Sequence, residues 1–185
     1  MKVPLRSMIL AAEFAALIAI FSQLTIPTGL IPLTGQTLAV GLAVTILGRR
    51  VGTYAILLYL LLGLIGLPVF TEMKAGVAVL FGPTGGYLIG FIFNGLITGA
   101  ILEQKEFTYR WAVIGNVVGA MVTLAFGTAW LKLYGSTGWL QAFQGGFIPF
   151  IVPGVIKALL AAYLGVLIRK RLPVAMINPE KSVHR

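Results

Sequence analysis

Lys157 is the residue of this 185-residue chain with the most to explain. It stands in PFIVPGVIKALLAA, a run otherwise apolar. Near the centre of a membrane span, a lysine costs about 3 kcal/mol unless it faces a cavity or reaches the interface. With Pro153 read as the first residue of the last helix, Lys157 falls one turn in. Its ammonium either snorkels to the outer interface or pairs with a substrate carboxylate, helped by the free N–H groups of that first turn. GPTGGY, residues 82–87, is the second feature. Gly85 lets a ligand approach the backbone, and Thr84 and Tyr87 offer hydroxyls. The same glycines would also serve a tight turn that merely starts a helix. Gln36 and Thr37 open another helix, as a polar cap or as ligand contacts. Asn94 and Asn116 suit hydrogen bonds between helices.

None of this is catalytic chemistry. The chain contains no Asp and no Cys, and its single histidine, His184, lies in a polar tail. It carries no GxxxxGK[ST], HExxH or GxSxG motif. Metal-ligating clusters are missing too, so neither an enzyme nor a cofactor is expected. Glu13 is read as the one acid within a helix, two turns from Arg6, with a packing or snorkelling role. A binding pocket with no energy source of its own implies an energised partner.

The elements that position these residues follow from composition. Apolar residues make up 58% of the chain and charged residues 10%, with a mean hydropathy of +0.98. A soluble domain cannot bury so much apolar surface, so the solvent is lipid. A span needs about 20 residues. Breaks at Gly, Pro and charged clusters predict helices at about 7–24, 35–47, 51–65, 87–102, 111–134 and 153–169, followed by a tail over 170–185. The expected fold is a single all-α membrane domain, a bundle of six transmembrane helices. The first apolar run continues past any small-residue cleavage site and is read as a retained span.

Net charge is +9. Eleven of the fourteen basic residues (Lys2, Arg6, Arg49, Arg50, Lys105, Arg110, Arg169, Lys170, Arg171, Lys181 and Arg185) fall on one side of such a bundle. Lys74, Lys132 and Lys157 do not. This asymmetry places both termini in the cytoplasm. Trp111 then sits near the inner face and Trp130 near the outer one. The second, fourth and sixth helices run inward from PLTGQ, GPTGG and IVPG, so their positive N-terminal ends form an outward-facing pocket suited to an anion.

Ala11, Ala12, Ala15, Ala16 and Ala19 place small residues at i, i+4 along the first helix. Such stripes let helices approach closely in lipid, whether within the chain or against a foreign subunit.

PLTGQTLAV, LLYLLLGLIGLPVF, GVAVLFGPTGGYLIGF and PFIVPGVIKALLAA together resemble the BioY family. These are biotin-specific substrate-capture subunits (S components) of energy-coupling-factor (ECF) transporters in prokaryotic cell membranes. The resemblance implies a six-helix S component whose outer pocket is capped by the connection between the third and fourth helices. It implies that Ala12 and Ala16, or Ala11 and Ala15, dock a transmembrane coupling subunit driven by two cytoplasmic ATPases. Biotin would meet Lys157, Tyr87, Thr84, Gln36, Gly85 and Asn94, with Lys157 matching the lysine of the family's PGD-x-x-K motif. Where the family reads PGD, the chain is read as Pro153-Gly154-Val155. Val155 cannot accept a hydrogen bond from biotin's ureido ring, and an unpaired buried N–H costs about 1–3 kcal/mol. Either Gln36, Asn94, Thr84 or backbone carbonyls compensate, or the ligand differs. Lipoate has a similar acid tail and no ring N–H. Another small carboxylic-acid vitamin in the same role and an autonomous secondary transporter or channel are the further alternatives.

Overall fold

A computed structural model of the protein describes residues 4–136 and 138–172. Lys2, Lys181, His184, Arg185 and most of the expected tail lie outside the described residues. In chain order the elements are α1 (Leu5–Ser22), β1 (Thr25–Ile26), β2 (Leu33–Thr34), α2 (Gln36–Leu64), a 3-10 turn (Thr71–Met73), α3 (Val77–Phe81), α4 (Gly85–Gln104), α5 (Tyr109–Gly135), α6 (Trp139–Gly146) and α7 (Ile148–Arg171). Among the described residues the regular elements are helical apart from one short hairpin. Five stretches are long and apolar enough to cross a membrane: α1, α2, α4, α5 and the run through α6 and α7.

α2 comprises the two helices expected at about 35–47 and 51–65, joined with almost no connection. It is interrupted at Gly48, whose φ of 80° and ψ of 179° break the helical path. That positive φ is cheap for glycine and costly for other residues. Beyond the break the chain doubles back. A Cβ on Gly52 would sit 2.7 Å from the Cα of Val44, a distance no straight helix allows over eight residues. The two arms, 36–47 and 49–64, therefore form a tight helical hairpin with Arg49 and Arg50 at its bend.

Several elements depart from expectation. Residues 25–34 form a β-hairpin, with Thr25 opposite Thr34 and Ile26 opposite Leu33. Residues 139–146, read as connection, form α6, with Trp139, Leu140 and Phe143 exposed and Ala142 buried. α7 begins at Ile148, five residues before Pro153, which lies inside the helix. Pro149 takes the early position that Pro153 was expected to hold. α4 also extends to Gln104, so Glu103 joins Glu13 as an acid within a helix.

Packing follows small and polar residues. α4 and α5 approach closely: a Cβ on Gly90 would lie 3.0 Å from the Cα of Thr123, and one on Gly86 would collide with Trp130. Asn94 Nδ2 donates to Thr123 Oγ1 at 3.2 Å across that seam. Asn116 Nδ2 donates to Thr45 Oγ1 of α2 at 2.8 Å. Both asparagines therefore join helices, as their setting predicts. Gly90→Leu should overpack the α4–α5 seam and cost about 1–3 kcal/mol or more. It should lower the melting temperature in detergent. Gly138→Ala, at an ordinary φ of −69° with nothing within 4 Å of the added carbon, should not.

The two ends of the bundle differ in charge. Arg169 Nη1 donates to the Thr45 carbonyl at 3.0 Å, and its guanidinium lies over the Phe107 ring. Gly99 packs against Arg49. The α2 bend, the α4–α5 connection and the end of α7 thus share one cationic end. Trp111, under the Lys105 ammonium, is at that end. Trp130 donates to the Gly82 carbonyl at 2.9 Å at the other.

Candidate substrate-binding site

At the end opposite the cationic cluster the structure encloses a cavity of about 440 Å³, within the range of small-molecule sites. Five parts of the chain wall it. They are the β-hairpin region, the start of α2, the segment from Phe70 to Thr84, the first half of α4 with facing residues of α5, and α7. Most of the wall is apolar, including Leu33, Phe70, Leu88, Phe91, Leu124 and Phe150. Its polar groups are few, which is the pattern of a site that orients a mostly apolar ligand.

Lys157 supplies the wall's unmatched charge. As the tenth residue of α7 it lies well beyond the first turn, so the free N–H groups expected around it are not there. Pro153, one turn earlier, has no N–H to offer at all. Lys157 Nζ instead donates to the Thr34 carbonyl of β2 at 2.9 Å, which leaves the ammonium two further donors. The other lysine of the wall, Lys74, is paired with Glu72 at 2.7 Å. Among the described residues Lys157 has no acidic partner, so an anion entering the cavity finds it uncompensated.

Four of the six residues singled out from sequence reach the wall: Lys157, Tyr87, Thr84 and Gln36. Tyr87 donates to the Gly146 carbonyl at 2.6 Å, tying α4 to α6 beside the cavity. Gln36 donates through Nε2 to the Tyr59 hydroxyl at 2.6 Å and accepts from Thr34 at 2.9 Å. Both its ends are thus engaged by the protein. Gly85 and Asn94 are not on the wall. Gly85 packs against the Leu80 carbonyl, where a Cβ would collide. Asn94 spends its amide on Thr123 and accepts from Thr98 at 3.1 Å, so it stands one hydrogen bond behind the cavity. Thr123 itself reaches the wall. Sequence reasoning missed it because α5 carries no motif around it, and only its i, i+4 spacing from Gly119 and Gly127 marks it as interior. Also missed were Phe70 and Glu72, which reach the cavity through an irregular turn.

The expectation for Val155 is corrected. Counting back from Lys157 through PGD-x-x-K places the acid at 154. The geometry agrees, since Gly154 is on the wall and Val155 is not. Residues three apart share a helix face, as 154 and 157 do. A Cβ on Gly154 would meet only Leu124 Cδ1, at 4.0 Å. Gly154→Asp should therefore fit, placing a carboxylate in the cavity one turn from Lys157. A ligand with ring N–H donors should gain about tenfold in affinity relative to one without. Paired titrations with biotin and lipoate check this, and an unchanged ratio would remove position 154 from ring recognition.

The four alanines separate by face. Ala11 and Ala15 are buried, at 5% and 0% exposure, and Ala15 packs in the core with α2 and α4. They are corrected as docking residues, because their surface is already used inside the bundle. Ala12 and Ala16 lie on the exposed face with Met8, Ile9 and Ile20.

The sequence model of the BioY family matches residues 1–174. The biotin transporter BioY2 of Lactococcus lactis subsp. cremoris is 46% identical over 168 residues, covering 91% of this chain and 92% of that protein. The biotin transporter BioY of Thermotoga maritima is 39% identical over 166 residues, covering 90% and 97%. A crystal structure of the S component for biotin from an ECF-type ABC transporter superposes with a TM-score of 0.83 at 28% identity. It covers 90% of this chain and 92% of that one. These relatives are transporters, not enzymes.

Proposed function

The chain belongs to the BioY family, and from that premise we propose that it is the substrate-capture subunit of an ECF-type importer and binds biotin in the cavity beside Lys157. The observation that carries this reading is the pairing of one uncompensated ammonium with an otherwise apolar wall. Biotin's valerate carboxylate meets Lys157, and its bicyclic ring packs among Phe70, Leu88, Phe91, Leu124 and Phe150. The absence of an acid at Gly154 leaves the ureido ring to other acceptors, and it favours lipoate as the alternative ligand of the same site.

The chain crosses the membrane six times in this reading, with the arms of α2 as the second and third spans and the cationic end in the cytoplasm. The Arg49–Arg50 bend and the Arg169–Arg171 end of α7 support that orientation. The cavity then opens outward, and the segment 66–86 closes over the ligand. The exposed face of α1 carrying Ala12 and Ala16 meets a transmembrane coupling subunit, which two cytoplasmic ATPases drive.

Proteoliposomes test this assignment against an autonomous transporter. The purified chain alone should bind biotin and fail to accumulate it. Uptake against a gradient should appear only when an ECF coupling module and ATP are supplied. Sustained accumulation by the chain alone, under an ion or proton gradient, would overturn the proposal.

A further inference from the structure

The polar residues that end α1 do not reach the cavity, yet they hold the segment that does. Ser22, fully buried, and Gln23, half-buried, close α1, and no motif marks them. Gln23 Nε2 donates to the Phe70 carbonyl at 2.9 Å, and its Oε1 accepts from the backbone N–H of Met73 at 3.0 Å. The Ser22 hydroxyl, with one proton to share, lies 2.6 Å from both the Val69 and Ala19 carbonyls and accepts from Gln23 Nε2 at 2.7 Å. Two adjacent side chains thus engage the backbone at residues 69, 70 and 73.

That backbone has little else to hold it. Its remaining bonds are local turns, apart from Gly76 N–H to the Gly63 carbonyl at 2.7 Å just beyond the clamp. Glu72 and Met73 adopt left-handed φ values of 60° and 56°, a conformation that costs non-glycine residues free energy and persists only where neighbours enforce it. Met73 is one of those two residues, and its N–H is the one Gln23 accepts from. The same turn carries Phe70, Thr71, Glu72 and Lys74 on the cavity wall. Phe70 is its apolar anchor, seated against Gly63 and edge-on to Tyr59 at 5.6 Å.

The geometry points to Gln23 as a positioning residue that latches the cavity-capping turn 69–74 to the end of α1, so that ligand release requires this clamp to break. Gln23 does not itself line the cavity, so its effect on a ligand is on residence time and not on direct contacts. The clamp also fixes the cap to the helix that carries Ala12 and Ala16. A displacement of α1 is therefore transmitted directly to the cavity wall. The ligand arm of the test rests on the proposed function, and the exchange arm does not.

Amide hydrogen exchange on the ligand-free protein in detergent reads the latch itself. Gln23→Met, of similar length and unable to donate or accept strongly, should speed exchange across residues 69–74 by about tenfold while α4 and α5 amides keep their rates. Gln23→Glu retains the acceptor for Met73 N–H and loses the donor to Phe70, so it should fall between. Unchanged exchange over 69–74, or acceleration spread evenly through the bundle, would overturn the latch. Should Gln23→Met fail to fold, Gln23→Glu and Ser22→Ala carry the same readout. In the ligand arm, labelled biotin should dissociate about tenfold faster from Gln23→Met, with association unchanged or faster. Slower association with unchanged dissociation would contradict a latch. If the unaltered protein binds no biotin, the proposed function fails and the exchange arm still decides the role of Gln23.

Discussion

Lys157→Ala is expected to weaken biotin binding by about a hundredfold. A hydrogen bond to a charged group is worth about 1.5–3 kcal/mol net, and each 1.4 kcal/mol is a factor of ten. Removing the ammonium forfeits that contact and leaves a carboxylate in an apolar cavity with no cation of its own, since Lys74 is paired with Glu72. The fold should survive, because the residue's ammonium is held by the Thr34 carbonyl at the cavity rim and not within the helical core. Biotin methyl ester separates charge pairing from packing. The ester should bind the unaltered protein far more weakly than the acid, and it should bind Lys157→Ala about as well as the acid does. If the acid keeps its advantage over the ester in the variant, another group holds the carboxylate. Lys157→Arg should lose less, retaining charge with altered reach.

A bulky side chain at the exposed face of α1 should produce the opposite pattern, with binding intact and transport abolished. Ala16→Trp leaves the interior untouched, since Ala16 faces away from the bundle. It would hold an approaching helix several ångströms off a surface that depends on small residues. Biotin affinity of the purified variant should be unchanged. Uptake by cells that depend on this chain should fall more than tenfold, and the variant should no longer co-purify with the coupling module. Ala15→Trp makes the contrast, because Ala15 is fully buried and a large side chain there overpacks the core. It should lower thermal stability and binding together. Undiminished uptake by Ala16→Trp would move the docking surface away from this face.

The sequence made some of this plain and concealed the rest for physical reasons. Arg49 and Arg50 after Gly48 marked a bend because charge and glycine interrupt an apolar run together. Both arms form close to their expected bounds, and the reversal between them takes a single non-helical residue, Gly48. Lys157 was conspicuous because an embedded ammonium demands a cavity. It lies deeper in α7 than a helix starting at Pro153 predicts, because interior prolines are tolerated in membrane helices. Pro149 was the better starting signal. The alanine stripe gave small residues at several registers, and only the packing of α1 on α2 could show that Ala11 and Ala15 face inward. Asn94 looked like a binding group and like a helix fastener, and its partners Thr123 and Thr98 are those of a fastener. The cap segment was the least legible part. Its shape depends on Gln23 and Ser22, some fifty residues earlier in the chain, and no local pattern announces a clamp of that span.

Equilibrium titration of the purified chain in nanodiscs with biotin tests the central claim most directly. Saturable binding of one biotin per chain, lost or strongly weakened in Lys157→Ala, is the predicted result. Absence of saturable binding by the unaltered chain, or binding that Lys157→Ala leaves intact, would contradict it.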